Sequence, residues 1–213
     1  MTKSHSDNID VLLNSSLPSL KKLEGERELI LQYSREIINI CSKTIESSHT
    51  GDKEKAINYL NQAKIILKKA KDISNNVEGS YLTGNILLQS EQEYVEAVLT
   101  YSYVFDKDIN SFLQDLNITS AAIITGILDF SGEIRRLLLN ALMEEDYDRA
   151  LECLNTMRYI YGKMVAIDIR TSLIQGFKKK LDQLRIQIER SIEQLHLSFE
   201  TNKLTDLIQK NYK

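Results

Sequence analysis

Apolar positions recur at helical spacing almost from end to end of this chain. The clearest run is Leu173, Phe177, Leu181, Leu184, Ile188, Ile192, Leu195 and Phe199, whose steps alternate between four and three. It draws one apolar stripe along about 40 Å of helix, at about 1.5 Å per residue. Thr171 is the predicted N-cap of that helix and Asn202 its predicted stop. Near the other end, Ser15 or Ser16 ahead of Pro18 is placed to open a first helix, because proline is tolerated in a first turn. That helix carries Leu29, Tyr33, Ile37, Ile40 and Thr44 down one face and ends near Ser47–Asp52. A second is predicted over 53–74, with Ala56, Leu60, Ala63, Leu67 and Ala70 inward. A third covers about 80–106 and a fourth about 119–144; a fifth, capped by Asp146, runs to about Asp168. A short tail helix over 204–210 is the weakest of the set. No fixed-period repeat marks a solenoid.

These elements describe an all-α single domain of six or seven long helices. Residues 16–213 form the domain and 1–15 a flexible N-terminal segment. The single proline and eight glycines in 213 residues agree, since a β-sandwich or barrel needs turn residues far more often. No stretch approaches the roughly 20 apolar residues of a membrane span, and the first residues lack the apolar run of a signal peptide. Two distant cysteines, Cys41 and Cys153, have no metal-type spacing, which fits a reduced, cytoplasmic compartment.

The fourth helix holds the first chemical signal. Ile123, Ile124, Ile127, Leu128, Phe130, Ile134, Leu137, Leu138, Leu139 and Leu142 surround its axis, the pattern of a buried helix. Asp129 and Glu133, four apart, interrupt it, with Gly126 three residues ahead and Arg136 and Asn140 continuing the polar strip. A carboxylate held out of water costs several kcal/mol unless it is paired, protonated or bound to a cation. On the third helix Glu93 and Glu96 also share a face. If the third and fourth helices pack side by side, up to four carboxylates converge. Oxygen donors without histidine or thiolate favour Mg²⁺ or Mn²⁺ over zinc or copper. A helix-bundle di-iron site would need two E-x-x-H strings, and only Glu193–His196 is present. Three histidines (His5, His49, His196) offer no recognisable triad, and no P-loop or G-x-G-x-x-G occurs. The plain alternative is that Glu93 and Glu96 are solvated and Asp129 pairs with Arg136 or a neighbour.

Charge narrows the partners. With 27 Lys and Arg against 30 Asp and Glu the net charge is −3, so any polyanion site must be a local patch. Basic residues gather on the first helix (Lys21, Lys22, Arg27, Arg35, Lys43), the second (Lys64, Lys68, Lys69, Lys71) and the last long one (Lys178, Lys179, Lys180). Each alone is more often a solvated face. Arg27 and Arg35, eight apart, share a side and could track phosphates. With no tryptophan and no aromatic ladder, recognition would rest on phosphates and shape.

At these residues the chain resembles the translin family, which includes translin and translin-associated factor X (TRAX). The resemblance spans about 26–200. It is carried by Ser34-Arg-Glu-Ile37, Gln92-Glu-Tyr-Val-Glu-Ala97, Asp129-Phe-Ser-Gly-Glu-Ile-Arg-Arg136, Asp146-Tyr-Asp-Arg149, Met157-Arg-Tyr-Ile-Tyr161 and Asp182-Gln-Leu-Arg185. It implies an all-α bundle of about seven helices whose subunits form hollow, commonly octameric shells that bind RNA or single-stranded DNA. Translin-type subunits lack the full acidic set; TRAX-type subunits carry it and cut RNA with Mg²⁺. The intact Q-E-Y-V-E-A string transfers catalytic and metal roles to Glu93 and Glu96. The string Asp129–Ile134 transfers them to Asp129, with Glu133 as a further ligand or support. The resemblance also places Arg27, Arg35 and Lys43 on an RNA-facing surface. Departures are Glu145 where the family has glycine, Tyr161-Gly-Lys-Met164, and a short connection over 107–118. One chain carrying all the acids is similar to the archaeal members, which work without a separate partner subunit. The expected function is a Mg²⁺-dependent endoribonuclease, with a non-cutting nucleic-acid-binding shell as the alternative.

Overall fold

The computed structural model describes residues 5–76, 80–168, 170 and 173–211. They form α1 (His5–His49), α2 (Lys53–Asn76), α3 (Ser80–Phe105), α4 (Asn110–Leu113), α5 (Ser120–Met143), α6 (Tyr147–Val165) and α7 (Phe177–Asn211), with no strand among them. Two packed groups share α3. On one side α1 and α2 bury Ile37, Cys41, Leu60 and Leu67 against Tyr94, Ala97 and Val98 of α3. On the other, α5, α6 and α7 bury Ile134, Leu138, Met157 and Leu184, with Leu99, Tyr103 and Val104 of α3 packed against them. Each fully buried leucine contributes about 1.5–3 kcal/mol of apolar transfer, so the two clusters, rather than helix propensity, hold these helices.

The predicted α2 stripe is the observed one: Ala56, Leu60, Ala63, Leu67 and Ala70 are all completely buried. The predicted fourth helix is α5. Thr119 caps it, its hydroxyl accepting the Ala122 N–H, and Asp146 caps α6 by accepting the Arg149 N–H at 3.0 Å. The inward face of α1 is rotated from the expected one. Ile30, Ile37, Cys41 and Thr44 are buried, whereas Leu29, Tyr33 and Ile40 are only partly so.

Two boundaries differ. α1 does not open at Ser15 or Ser16; it starts at His5 and runs through Pro18. Residues 7–22 are exposed throughout, including Leu12, Leu13 and Leu20, so water can satisfy the carbonyl that Pro18 leaves without an N–H. The stretch predicted to be a flexible segment is thus helical from His5 onward, though it packs on none of the described core. Asn202 does not stop the last helix, which continues to Asn211 as one element in place of a separate tail helix. Instead the Asn202 side chain donates to the Tyr147 hydroxyl at 2.5 Å, tying α7 to the start of α6. The predicted cap Thr171 lies outside the described residues, and Leu173 is exposed ahead of the helix. Glu145, where the resembled family has glycine, has φ +60, the left-handed conformation glycine adopts at lower cost after a helix.

A candidate carboxylate site

Gly126 sets the approach of α3 and α5. A Cβ built there would lie 2.8 Å from the Gln92 carbonyl oxygen and 2.8 Å from the Val95 Cβ. Only a glycine lets the helices come this close, and the contact puts Gln92, Glu93 and Glu96 beside the next turn of α5, where Asp129 stands. Gly126→Ala is expected to force the helices apart against a backbone carbonyl that cannot rotate away. The cost should be about 1–3 kcal/mol, as for overpacked cores. Urea denaturation measures it, and an alanine variant as stable as the parent would contradict this packing.

The result is a cleft of about 410 Å³ lined by Glu93, Glu96, Asp129, Gln92 and Lys180, with Gln183 at its rim on α7. Three of the four expected acids therefore share one cleft. Asp129 is not paired with Arg136, as the plain alternative would have it. Its Oδ1 accepts from the Lys180 ammonium and its Oδ2 from the Gln92 amide at 2.6 Å. Glu133 turns elsewhere: its Oε2 lies 2.5 Å from His49 Nε2 and 3.9 Å from Arg136, which itself bonds Glu46 at 3.0 Å. His49 is a residue that sequence reasoning set aside. Its side chain is 3% exposed, and its Nδ1 is buried without a partner among the described residues.

Glu93 and Glu96 are half-buried, not solvated. Burial, then the neighbouring Asp129, holds the Glu93 carboxyl above its ordinary range, with Lys180 opposing. Glu96 is pushed to about 8 by burial and by Asp129, Glu93 and Glu133. Behind them, burial and the same two glutamates push the Cys41 thiol well up, so it is an inert core group. The Glu96 shift has a consequence for stability. Between the ordinary 4.5 and about 8, the unfolded chain has released this proton while the folded chain keeps it. The metal-free protein should therefore lose stability as pH rises through that window. Urea midpoints in EDTA across the window test this; Glu96→Gln should flatten the fall, and a midpoint that climbs with pH would contradict it.

The donor chemistry fits a hard divalent cation, since mutually repelling carboxylates at a dehydrated contact are relieved by one. Glu93, Glu96 and Asp129 are the residues that would hold it, with Glu133 behind Glu96 as support. As they stand, no three acidic, histidine or cysteine side chains among the described residues are gathered closely enough to hold a metal ion. Asp129 would have to exchange Lys180 for the ion.

The expected nucleic-acid residues lie apart from this cleft. Arg27 and Arg35 are exposed on α1, Arg27 against Glu28 at 3.4 Å, and Lys43 lies 5.9 Å from the centre of the Tyr59 ring. None lines the cleft. His196 is exposed on α7, as expected for a histidine without a metal partner motif. No helix among the described residues is long and apolar enough to cross a membrane.

No protein-family model matches the chain. An uncharacterised protein of Methanocaldococcus jannaschii is 28% identical over 181 residues, 84% of this chain and 79% of that protein. A solved structure of AfC3PO in complex with duplex RNA matches with a TM-score of 0.78 at 30% identity, covering 89% of this chain and 97% of that one. A crystal structure of AfC3PO matches by the same measures. Apo-NeC3PO, 20% identical over 87% of this chain and 96% of its own with a TM-score of 0.77, shares the fold.

Proposed function

The chain belongs to the translin family, as AfC3PO and NeC3PO do, and we propose that it is a metal-dependent endoribonuclease of the TRAX type. The observation that carries this reading is the half-buried cleft that Glu93 and Glu96 of α3 and Asp129 of α5 line together. The duplex RNA bound to AfC3PO supports RNA as the substrate class.

Glu93, Glu96 and Asp129 would hold Mg²⁺ or Mn²⁺. When bound, such an ion supplies a Lewis acid for the scissile phosphate and for the attacking water. The chain's own groups do the rest. Gln92 fixes the Asp129 carboxylate through its Oδ2. Lys180 neutralises that carboxylate in the absence of an ion and, once released, is a cation at the cleft wall for a phosphate oxygen. Glu96 and Asp129, both lining the cleft, are the two groups placed to take the water's proton. His49 holds Glu133 in place beside Glu96.

The same reading makes the chain a cytoplasmic homo-oligomer, an octamer by resemblance. Exposed Leu12 and Leu13 on α1 and Leu197 and Phe199 on α7 are surface that assembly would cover. One observation favours the second reading, a shell that binds RNA or single-stranded DNA without cutting: Asp129 is already neutralised by Lys180, as the carboxylate of a structural ion pair is. Incubation of a labelled single-stranded RNA with purified protein in Mg²⁺ or EDTA separates the two. Metal-dependent cleavage supports the nuclease. Binding without cleavage in any divalent metal selects the shell.

A further inference from the structure

We infer that the groove between α5 and α7, beside the carboxylate cleft, holds the phosphate backbone of the RNA strand through Arg135, Lys178, Lys179 and Arg190. The inference rests on the nuclease reading and deepens it by naming the groups that present the strand to the acids.

The groove has a volume of about 660 Å³. Its lining carries those four cations against one carboxylate, Asp182, in a chain whose overall charge is −3. Such a local excess attracts a polyanion. Lys179, Gln183, Gln187 and Arg190 follow one another at steps of four, four and three, so they lie along one side of α7. The two cations at the ends are about 16 Å apart, at about 1.5 Å of rise per residue. Gln183 and Gln187, between them, line both the groove and the carboxylate cleft. The cationic groove and the acids are therefore one continuous surface, and a strand lying on the first passes the second.

These cations are also uncommitted. Elsewhere on α7, Arg185 pairs with Glu189 at 2.9 Å and Lys180 with Asp129. Lys178, Lys179 and Arg190 are exposed and form no ion pair among the described residues. Arg135 gives one N–H to Gln194 at 3.1 Å, and its Nε is buried with no partner among them. Its planar fork keeps donors for a phosphate. The groove has no aromatic side chain on which a base could stack, which points to backbone contacts and away from base readout.

The test is titration of a fluorescein-labelled single-stranded oligoribonucleotide in EDTA, so that no strand is cut, over a range of salt concentrations. The full chain is compared with the variant Lys178→Gln, Lys179→Gln, Arg190→Gln. At about 0.7 in slope per phosphate contact, the plot of log K against log salt should become shallower by about 2 in the variant, with at least about tenfold weaker binding at moderate salt. Lys178→Arg with Lys179→Arg should keep the parent slope, and circular dichroism checks that each variant is folded. A folded glutamine variant with the parent's slope and affinity overturns the groove while leaving the nuclease reading intact. A parent chain that neither binds nor cuts RNA overturns that reading and the groove with it. Polyglutamate that binds as tightly as RNA, and is lost with the same substitutions, would reassign the groove to an acidic protein.

Discussion

Glu96→Gln is expected to remove RNA cleavage, by about 10³-fold or more, and to leave RNA affinity within a few-fold. Glu96 is the acid most strongly affected by its neighbours: burial, Asp129, Glu93 and Glu133 together push it to about 8. Glutamine keeps the volume and a carbonyl acceptor but can neither take the proton nor carry a charge to a cation. Because the folded parent keeps Glu96 protonated near neutral pH, a cost the unfolded chain does not bear and glutamine avoids, the metal-free variant should be no less stable than the parent there. That combination, activity lost and thermal midpoint kept, distinguishes a functional acid from a structural one. A variant that still cuts at the parent rate would sink the assignment. So would one that loses cleavage only because it unfolds.

The largest stability effect is expected at a different buried pair. Lys71 of α2 donates to Glu91 of α3 and to the Asn117 carbonyl at 2.7 Å. The second oxygen of Glu91 accepts the Thr119 N–H at 2.9 Å, at the cap of α5. One lysine and one glutamate thus join α2, α3 and the start of α5, the helix that delivers Asp129. Their side chains are 12% and 3% exposed. Lys71→Met leaves a desolvated carboxylate without its cation and should cost about 3–5 kcal/mol in urea denaturation. Replacing both partners, Lys71→Met with Glu91→Met, should recover a substantial part of that loss, since no buried charge is then left unmatched. A loss below about 1 kcal/mol for Lys71→Met would mean that the pair is worth no more than a surface contact.

How much of this was legible in the sequence depends on the distance over which each signal acts. The α2 stripe was fully legible, because small and large apolar residues alternate on one side of an otherwise polar helix. The α1 face was offset, because the helix buries Ser34 and Ser48 beside its apolar residues, the first bonding the Ile86 carbonyl of α3 and the second the Thr44 carbonyl of its own helix, and such polar side chains do not show in an apolar pattern. Asn202 read as a stop because asparagine ends helices by default; its bond to Tyr147 depends on a residue 55 positions away. The acids of the cleft stood out as charges on a buried helix and as a glutamate pair on its neighbour. Their partners did not. Lys180 had one available signal: it lies three after Phe177 and four before Leu184, both buried, and so takes a place in an apolar stripe where a lysine must find a counter-charge. His49 had none, since its bond to Glu133 spans 84 residues and exists only because α1 ends beside α5. The phosphate groove was half visible as the Lys178–Lys180 run, but Arg135 joins it only through the packing of α5 on α7.

On the nuclease reading, the carboxylates at the α3–α5 contact take a divalent cation. The most direct measurement is anomalous diffraction from crystals of the full chain soaked in Mn²⁺. A single-site or paired peak bounded by the carboxylates of Glu93, Glu96 and Asp129 is expected, with the Lys180 ammonium withdrawn from Asp129. A cleft without anomalous density at saturating Mn²⁺, with Lys180 still on Asp129, would contradict it.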